Sequence, residues 1–229
     1  MVNSVIEKII KDKICQDDFL DLEKFLKIIL YEKKYGFYNQ INNFQKTLIG
    51  KNGHFVTAPE ISQIFGELIA IWLIDYFYKS NSSCINLVEL GPGNGTLMQD
   101  ILRVINKQKK INLKINLYFL ETSSKLKQIQ HKKIDHYNYK KHWYKKLSDL
   151  KKNLTNSPTI FLANEFFDCL PISQYKFFEH ENEWKKKCLK IQGNRFYFDH
   201  IEINNIDEEL IKKINSNSTT NIKEKKFIE

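Results

Sequence analysis

Three glycines alternate with other residues from Gly91 to Gly95, directly after an apolar run at residues 85–90. Glycine lets a backbone approach a ligand closely, and the amides at the start of a following helix donate hydrogen bonds to polar ligand groups. Glu89 precedes this glycine loop, and Glu121 ends the next apolar run, where nucleotide-binding α/β folds place an acid on the ribose diol. The spacing predicts a nucleotide-type crevice; the alternative is a tight turn beside incidental acids.

Short apolar runs alternate with helical patterns on either side of this loop. Strands are predicted at residues 85–90, 115–120 and 159–163, and helical patterns run between them, with apolar positions at Leu97 and Leu126. A strand, helix, strand, helix, strand order specifies an α/β sheet with right-handed crossovers. The carboxyl ends of the strands would then gather the glycine loop and Glu121 at one edge.

The flanking segments are patterned differently. The first thirty residues follow the period of an amphipathic helix, and capping-box sequences at residues 57–60 and 96–99 predict two further helix starts. The first of these helices is expected to continue through Tyr76. After Pro171, three predicted strands form an antiparallel meander at residues 173–178, 184–191 and 195–201. We therefore expect a helical region over 1–80, an α/β core over 81–172, and a meander with a polar tail over 173–229.

The net charge of +9 is concentrated in one part of the chain. Residues 101–160 hold 15 Lys and Arg against 3 Asp and Glu. This segment is either a basic face for an anionic partner or a set of lysines on exposed helix faces, and the second reading is favoured. The four cysteines contain no CxxC pair, which predicts free thiols in a reducing compartment and no metal site.

No apolar run approaches the roughly 20 residues of a membrane-spanning helix, and the opening residues lack a standard secretory signal. The composition also excludes a disordered tail and a small cysteine-stapled scaffold. A cytoplasmic protein without membrane insertion is the expectation.

The glycine spacing separates two kinds of nucleotide site. In the dinucleotide fingerprint two residues separate the second and third glycines, whereas a single residue separates Gly93 from Gly95. The segment at 89–95, ELGPGNG, instead resembles the first motif of class I S-adenosylmethionine methyltransferases, and no P-loop sequence is present. Methyl transfer depends mainly on in-line positioning of the nucleophile. This agrees with the lack of a persuasive Ser/His/Asp or Cys/His set.

Three long motifs narrow the resemblance. They are GHFVTAPEISQIFGEL at 53–68, ELGPGNGTLMQD at 89–100 and ANEFFDCLPISQ at 163–174. In this order they resemble the MidA-type family of methyltransferases, which includes the mitochondrial complex I assembly factor. The likeness extends from about Tyr35 to about Trp184.

The resemblance implies a class I, Rossmann-like sheet and a protein arginine methyltransferase. Its product would be symmetric dimethylarginine on a core quinone-site subunit of respiratory complex I, and its cofactor S-adenosyl-L-methionine. The expected cofactor-binding residues are Glu89, Gly91, Gly93, Gly95, Thr96, Leu97 and Glu121. The expected catalytic residues are Asn164, Glu165 and Asp168, and Thr57, Glu60 and Gln63 are expected to line the substrate side.

Glu165 and Asp168 also have a physical rationale. A guanidinium is always protonated in water, and its planar donors pair well with carboxylates. An acid beside the methyl group would orient the arginine and concentrate electron density on one nitrogen. The alternative is that both acids cap or pair locally at the strand end.

The sequence departs from the family pattern, because family members continue well past this length with further strands of the sheet. The chain is therefore expected to be truncated at its C-terminus. Two alternatives stay open: an RNA adenine methyltransferase, and a truncated assembly factor that binds its client without methylating it. The expected location is the bacterial cytoplasm, or the mitochondrial matrix in a eukaryote.

Overall fold

The computed structural model describes residues 2–38, 50, 56–80, 82–108, 114–217 and 227–228 of the chain. The helices are α1 (Val2–Asp17), α2 (Leu22–Tyr31), α3 (Ala58–Ile61), α4 (Gln63–Lys79), α5 (Thr96–Lys107), α6 (Ser124–Ile134), α7 (Leu147–Asn153) and α8 (Asn205–Asn217). The strands are β1 (Leu20–Asp21), β2 (Cys84–Leu90), β3 (Lys114–Leu120), β4 (Lys140–Tyr144), β5 (Thr159–Leu162), β6 (Tyr175–Phe178), β7 (Glu183–Gln192), β8 (Arg195–Glu202) and β9 (Phe227–Ile228). A short 3-10 helix covers Phe167–Cys169.

The chain divides into two compact units. The meander unit comprises Met1–Gln40 with Leu170–Glu229, and the parallel-sheet unit comprises Ile41–Cys169. This division differs from boundaries at residues 80 and 172, because residues 41–80 group with the parallel sheet. Residues 1–40, which include α1 and α2, group with the C-terminal meander.

The parallel-sheet unit contains a four-stranded sheet in the order β4-β3-β2-β5, with all three pairings parallel. Strand β2 lies at the centre and is buried from Ile85 to Leu90, as expected for a strand that has neighbours on both sides. The side chains of α4 and α5 pack with β2 and β3 in the largest hydrophobic cluster, which includes Leu73, Ile101 and Leu117. The predicted α/β class and parallel sheet are confirmed.

Two predicted helices are interrupted. The helix predicted to run from Thr57 through Tyr76 breaks at Ser62, whose backbone is extended (φ −150°, ψ 130°). The Ser62 hydroxyl accepts a hydrogen bond from the Ile64 amide at 3.2 Å and caps the second helix, α4. The helical pattern predicted for the first thirty residues is also interrupted, because the short strand β1 separates α1 from α2, which together cover most of this segment.

The meander unit holds an antiparallel sheet in the order β1-β7-β6-β9, with β8 paired to β7 from Lys185 to Gln192. One hydrophobic cluster joins α1 to this sheet through Ile14, Leu20 and Leu189. A second joins α8 to it through Trp184 and Ile211. The meander is confirmed, whereas α8 lies in a segment whose sequence is polar and weakly patterned.

Across the part of the chain that the structure describes, no helix combines the length and the apolar character needed to cross a bilayer.

Candidate functional site

The glycine loop joins the end of β2 to the start of α5 and depends on left-handed backbone. The backbone φ angles of the three glycines are 63° at Gly91, 53° at Gly93 and 75° at Gly95. Residues other than glycine rarely adopt this left-handed region. A Cβ added to Gly91 would lie 2.6 Å from Cδ2 of Phe166, and one added to Gly95 would lie 3.2 Å from Cα of Gln130. The loop therefore requires glycine for both its conformation and its packing.

Helix α5 begins without a capping side chain. Gly95 is its N-cap residue, and the Gln99 amide donates to the Gly95 carbonyl oxygen at 3.1 Å. The capping box predicted at residues 96–99 is therefore wrong. The Thr96 hydroxyl instead donates to Glu60 Oε1 at 2.6 Å and accepts from Lys133 Nζ at 2.6 Å.

Glu60 connects α3 to the glycine loop. Its Oε1 accepts from Thr96 and also from Asn94 Nδ2 at 3.3 Å. The capping box predicted at residues 57–60 is wrong as well, because the Thr57 side chain makes no capping hydrogen bond. Glu60 thus holds the first turn of α5 and the loop before it.

Two buried acids lie at the carboxyl ends of the central strands. Burial, with a smaller contribution from the charge of Glu121, raises the pKa of Glu89 to about 8. Burial also raises the pKa of Glu121, against hydrogen bonds from the Ser123 amide and the Gln130 side chain. Glu89 Oε2 has no hydrogen-bond partner among the described residues.

This arrangement fits the S-adenosyl-L-methionine implied by the sequence. A buried carboxyl oxygen without a partner is costly, and a polar group of a ligand would satisfy it. The glycine loop lets a ligand approach the backbone, and the first amides of α5 have no partner within their own helix. Leu97 is buried in the core, so its backbone and not its side chain faces this region.

The expected catalytic residues follow β5 in a strained turn. Glu165 has a φ of 48°, which is uncommon for a residue other than glycine and is often found at functional sites. Its exposed carboxylate accepts a hydrogen bond from the Ala58 amide at 3.2 Å. Asn164 is half-buried, and Asp168 is exposed on the 3-10 helix.

The segment before α4 therefore contacts both halves of the expected site. Ala58 contacts the Glu165 carboxylate, and Glu60 contacts the glycine loop. Gln63, also expected on the substrate side, accepts a hydrogen bond from Arg103 Nη1 at 2.8 Å. A substrate-binding role for Thr57, Glu60 and Gln63 stays a prediction.

A further set of residues, on α6 and β4, was not predicted from the sequence. Gln130 lies between the glycine loop and Glu121, Lys133 supports Thr96, and the Trp143 indole N–H donates to Gln130 Oε1 at 2.9 Å. Helix α6 reads as an ordinary polar helix in the sequence. Only the fold shows which of its polar side chains are buried.

A parallel sheet with a glycine loop after its central strand and an acid after the next defines a nucleotide-cofactor-binding α/β protein. Residues 68–229 match the model of a family described as putative S-adenosyl-L-methionine-dependent methyltransferases. The chain belongs to this family, and the predictions of the family and of its cofactor are confirmed at that level.

The chain is also similar to mitochondrial protein arginine methyltransferases named NDUFAF7. It is 33% identical to the Danio rerio protein over 212 residues, covering 83% of this chain and 48% of the relative. It is 33% identical to the Homo sapiens protein over 195 residues, covering 75% of this chain and 42% of the relative. The chain thus spans about half the length of these relatives.

The fold is shared with a solved protein from Burkholderia thailandensis bound to S-adenosyl-homocysteine. The TM-score is 0.69 at 16% sequence identity, and the match covers 90% of this chain and 52% of that one. A native structure of a Burkholderia thailandensis protein matches with a TM-score of 0.67 at 17% identity. At this level of identity the similarity shows the fold alone.

Proposed function

We propose that the parallel-sheet unit binds S-adenosyl-L-methionine and that the protein methylates arginine in a protein substrate. The observation that carries this proposal is the left-handed glycine loop beside the buried pair Glu89 and Glu121. When bound, the cofactor supplies a methyl group attached to a sulfonium. The Glu121 carboxylate would accept hydrogen bonds from the ribose hydroxyls, and the glycine loop would receive the rest of the ligand against its backbone.

The substrate side is proposed to be the turn that follows β5. The Glu165 carboxylate is exposed and held by the Ala58 amide, so it is positioned to pair with a guanidinium. Such a pairing fixes the orientation of the arginine side chain and concentrates electron density on one nitrogen. Asp168 is exposed on the adjacent 3-10 helix. It would add a second negative charge to the mouth of the site, the turn around Glu165.

The finer proposal concerns the client. The names of the curated relatives support protein arginine as the methyl acceptor. From the family resemblance, we propose that the product is symmetric dimethylarginine on a core quinone-site subunit of respiratory complex I. The protein would act where that complex is assembled, in the mitochondrial matrix of a eukaryote or the cytoplasm of a bacterium.

A methylation assay with radiolabelled S-adenosyl-L-methionine tests the proposal. Complex I subunits and ribosomal RNA are offered separately, and label in arginine of the protein substrate is the expected result. Label on RNA alone would overturn the arginine proposal. No label on either, with the cofactor still bound, would favour the non-catalytic binding factor.

A pair of variants tests the site itself. Gly93→Val is expected to abolish cofactor binding, because a branched side chain is placed on left-handed backbone inside the loop. Gly193→Val is the matched control, since Gly193 also has a positive φ (60°) and a Cβ there meets nothing within 4 Å. Equal cofactor affinity in both variants would refute the assignment of the loop.

A further inference from the structure

Gln130 on α6 is fully buried, and each polar atom of its side chain has a partner. Its Nε2 donates to the Gly93 carbonyl oxygen at 2.8 Å and to Glu121 Oε2 at 3.0 Å. Its Oε1 accepts from Trp143 Nε1 at 2.9 Å. One amide thus joins the glycine loop, the acid after β3 and the edge strand β4.

The orientation of this amide is fixed at both ends. An indole N–H is only a donor, so the Gln130 oxygen must face Trp143. A backbone carbonyl is only an acceptor, so the nitrogen must face Gly93. The Trp143 ring is held in turn by stacking on Phe119, with ring centroids 4.8 Å apart, and on His131, at 5.2 Å.

The position of Gln130 is fixed as firmly as its orientation. The exposed fraction of Gln130 is 0%, and its Cα lies 3.2 Å from where a Cβ of Gly95 would be. Helix α6 therefore packs directly against the glycine loop with no room for a side chain between them. A shift of α6 at this residue would move the loop with it.

We propose that Gln130 is a positioning residue that sets ribose recognition by holding the Glu121 carboxylate in one rotamer relative to the glycine loop. This inference rests on the proposed cofactor site. The Ser123 amide donates to Glu121 Oε1 at 2.7 Å, and Gln130 donates to Oε2. The Thr122 amide also donates to this carboxylate. A carboxylate accepts about four hydrogen bonds, so one lone pair remains for a ligand hydroxyl while all three protein bonds persist.

Gln130→Met tests this role, because methionine has a similar length and packs well but has no amide donors. The affinity of the full chain for S-adenosyl-L-homocysteine and for its 2′-deoxyribose analogue is measured by calorimetry. The wild-type protein is expected to prefer the ribose compound. Gln130→Met is expected to weaken binding of S-adenosyl-L-homocysteine about tenfold, with a smaller loss for the deoxy analogue, so that the preference shrinks.

Ile134→Val is the control for packing of α6. Ile134 is buried in the main cluster on the same helix, and its truncation lowers the melting temperature without touching the hydrogen bonds. Its preference for ribose should equal that of the wild type. The same loss of affinity for both ligands in Gln130→Met would overturn the proposal, since it would show only a general loss of structure.

Two further variants make the test independent of the folding of Gln130→Met. Gln130→Glu keeps the acceptor for Trp143 but sets a carboxylate against Glu121, so the ribose preference should fall as well. In a Glu121→Gln background, replacing Gln130 should change the preference no further, because the two residues act as one unit. Additive effects would overturn the proposal, whereas a wild-type chain that binds neither ligand would overturn the cofactor site itself.

Discussion

Replacing Glu89 by glutamine is expected to stabilise the protein increasingly as the pH rises. The Glu89 side chain is buried at the end of the central strand, beside the charge of Glu121, and its pKa is raised from 4.5 to about 8. In the unfolded chain the same carboxyl ionises in water near its ordinary value. Glutamine has the same shape and no charge to desolvate.

The direction of this pH dependence follows from the proton that Glu89 binds in the folded and in the unfolded state. Below about pH 4 the carboxyl is protonated in both states, so its ionisation costs the folded state nothing. Between about pH 4.5 and 8 the unfolded chain ionises while folded Glu89 keeps its proton, and the wild type loses about 1.4 kcal/mol of stability per pH unit. From pH 5 to 8 the gain of Glu89→Gln should therefore grow by on the order of 3 kcal/mol, and level off above pH 8.

Urea unfolding at pH 5, 6, 7 and 8, followed by Trp fluorescence and circular dichroism, measures this difference. Any fixed cost of the amide group is the same at every pH, so the test depends only on how the stability difference between variant and wild type changes with pH. Glu202→Gln, at an exposed position of β8, removes the same charge from the surface and corrects for the change in net charge. A stability difference for Glu89→Gln that follows this control at all pH values would refute the reasoning.

Three other substitutions have expected outcomes. Gly95→Ala should lower the free energy of unfolding by about 2 kcal/mol more than Gly193→Ala, because both have left-handed backbone but only Gly95 is crowded. Asn86→Leu should cost about 3 kcal/mol in urea unfolding, because the fully buried amide donates to three oxygens and accepts from the Asn116 amide and the Thr155 hydroxyl, and all five bonds would be lost. Asp207→Asn should cost about 2 kcal/mol at pH 7, because it leaves the largely buried ammonium of Lys186 without its charge partner.

Each outcome has a counterpart that would contradict it. Equal losses in Gly95→Ala and Gly193→Ala would show that conformation alone, and not packing on α6, determines the need for glycine. An Asn86→Leu protein as stable as the wild type would show that the buried amide network makes no net contribution.

For Asp207, hydrogen bonds from Tyr175 and Lys186 outweigh burial and lower its pKa. Its stabilising effect is thus present above its unfolded pKa near 4 and is lost as the pH falls. A deficit of Asp207→Asn that does not shrink towards pH 3 in the same unfolding assay would contradict this assignment.

The strand that is buried on both sides was predictable from the sequence, whereas the partly exposed edge strand β4 was not. Residues 85–90 are apolar because β2 lies between two neighbours, and this pattern also located the glycine loop and Glu121. Strand β4, KKHWY, is an edge strand with no fully buried residue and has no such pattern. Because β4 was not predicted, neither the position of Trp143 nor its hydrogen bond to Gln130 could be predicted.

The polar contacts of the site were mostly outside the reach of sequence reasoning. Thr57 and Glu60 have the spacing of a capping box, but Glu60 instead accepts hydrogen bonds from Asn94 and Thr96, which are distant in sequence. Spacing along the chain indicates only the hydrogen bonds that are possible within one helical turn. A partner that is distant in sequence comes within reach of Glu60 only when the chain folds. The break at Ser62 has the same origin, since the residue could continue a helix or cap the next one.

The hydrogen bond between Ala58 and Glu165 joins residues that are 107 positions apart in the chain. By contrast, Gln130 and Glu121 are separated by only 9 residues. Contacts of low sequence separation form early in folding, and distant ones wait for the loops between them to close. The ribose side of the crevice should therefore be organised first during refolding, and the mouth around Glu165 should close last. During synthesis, a nascent chain from which residue 165 has not yet emerged could form the ribose side of the crevice but not the side around Glu165.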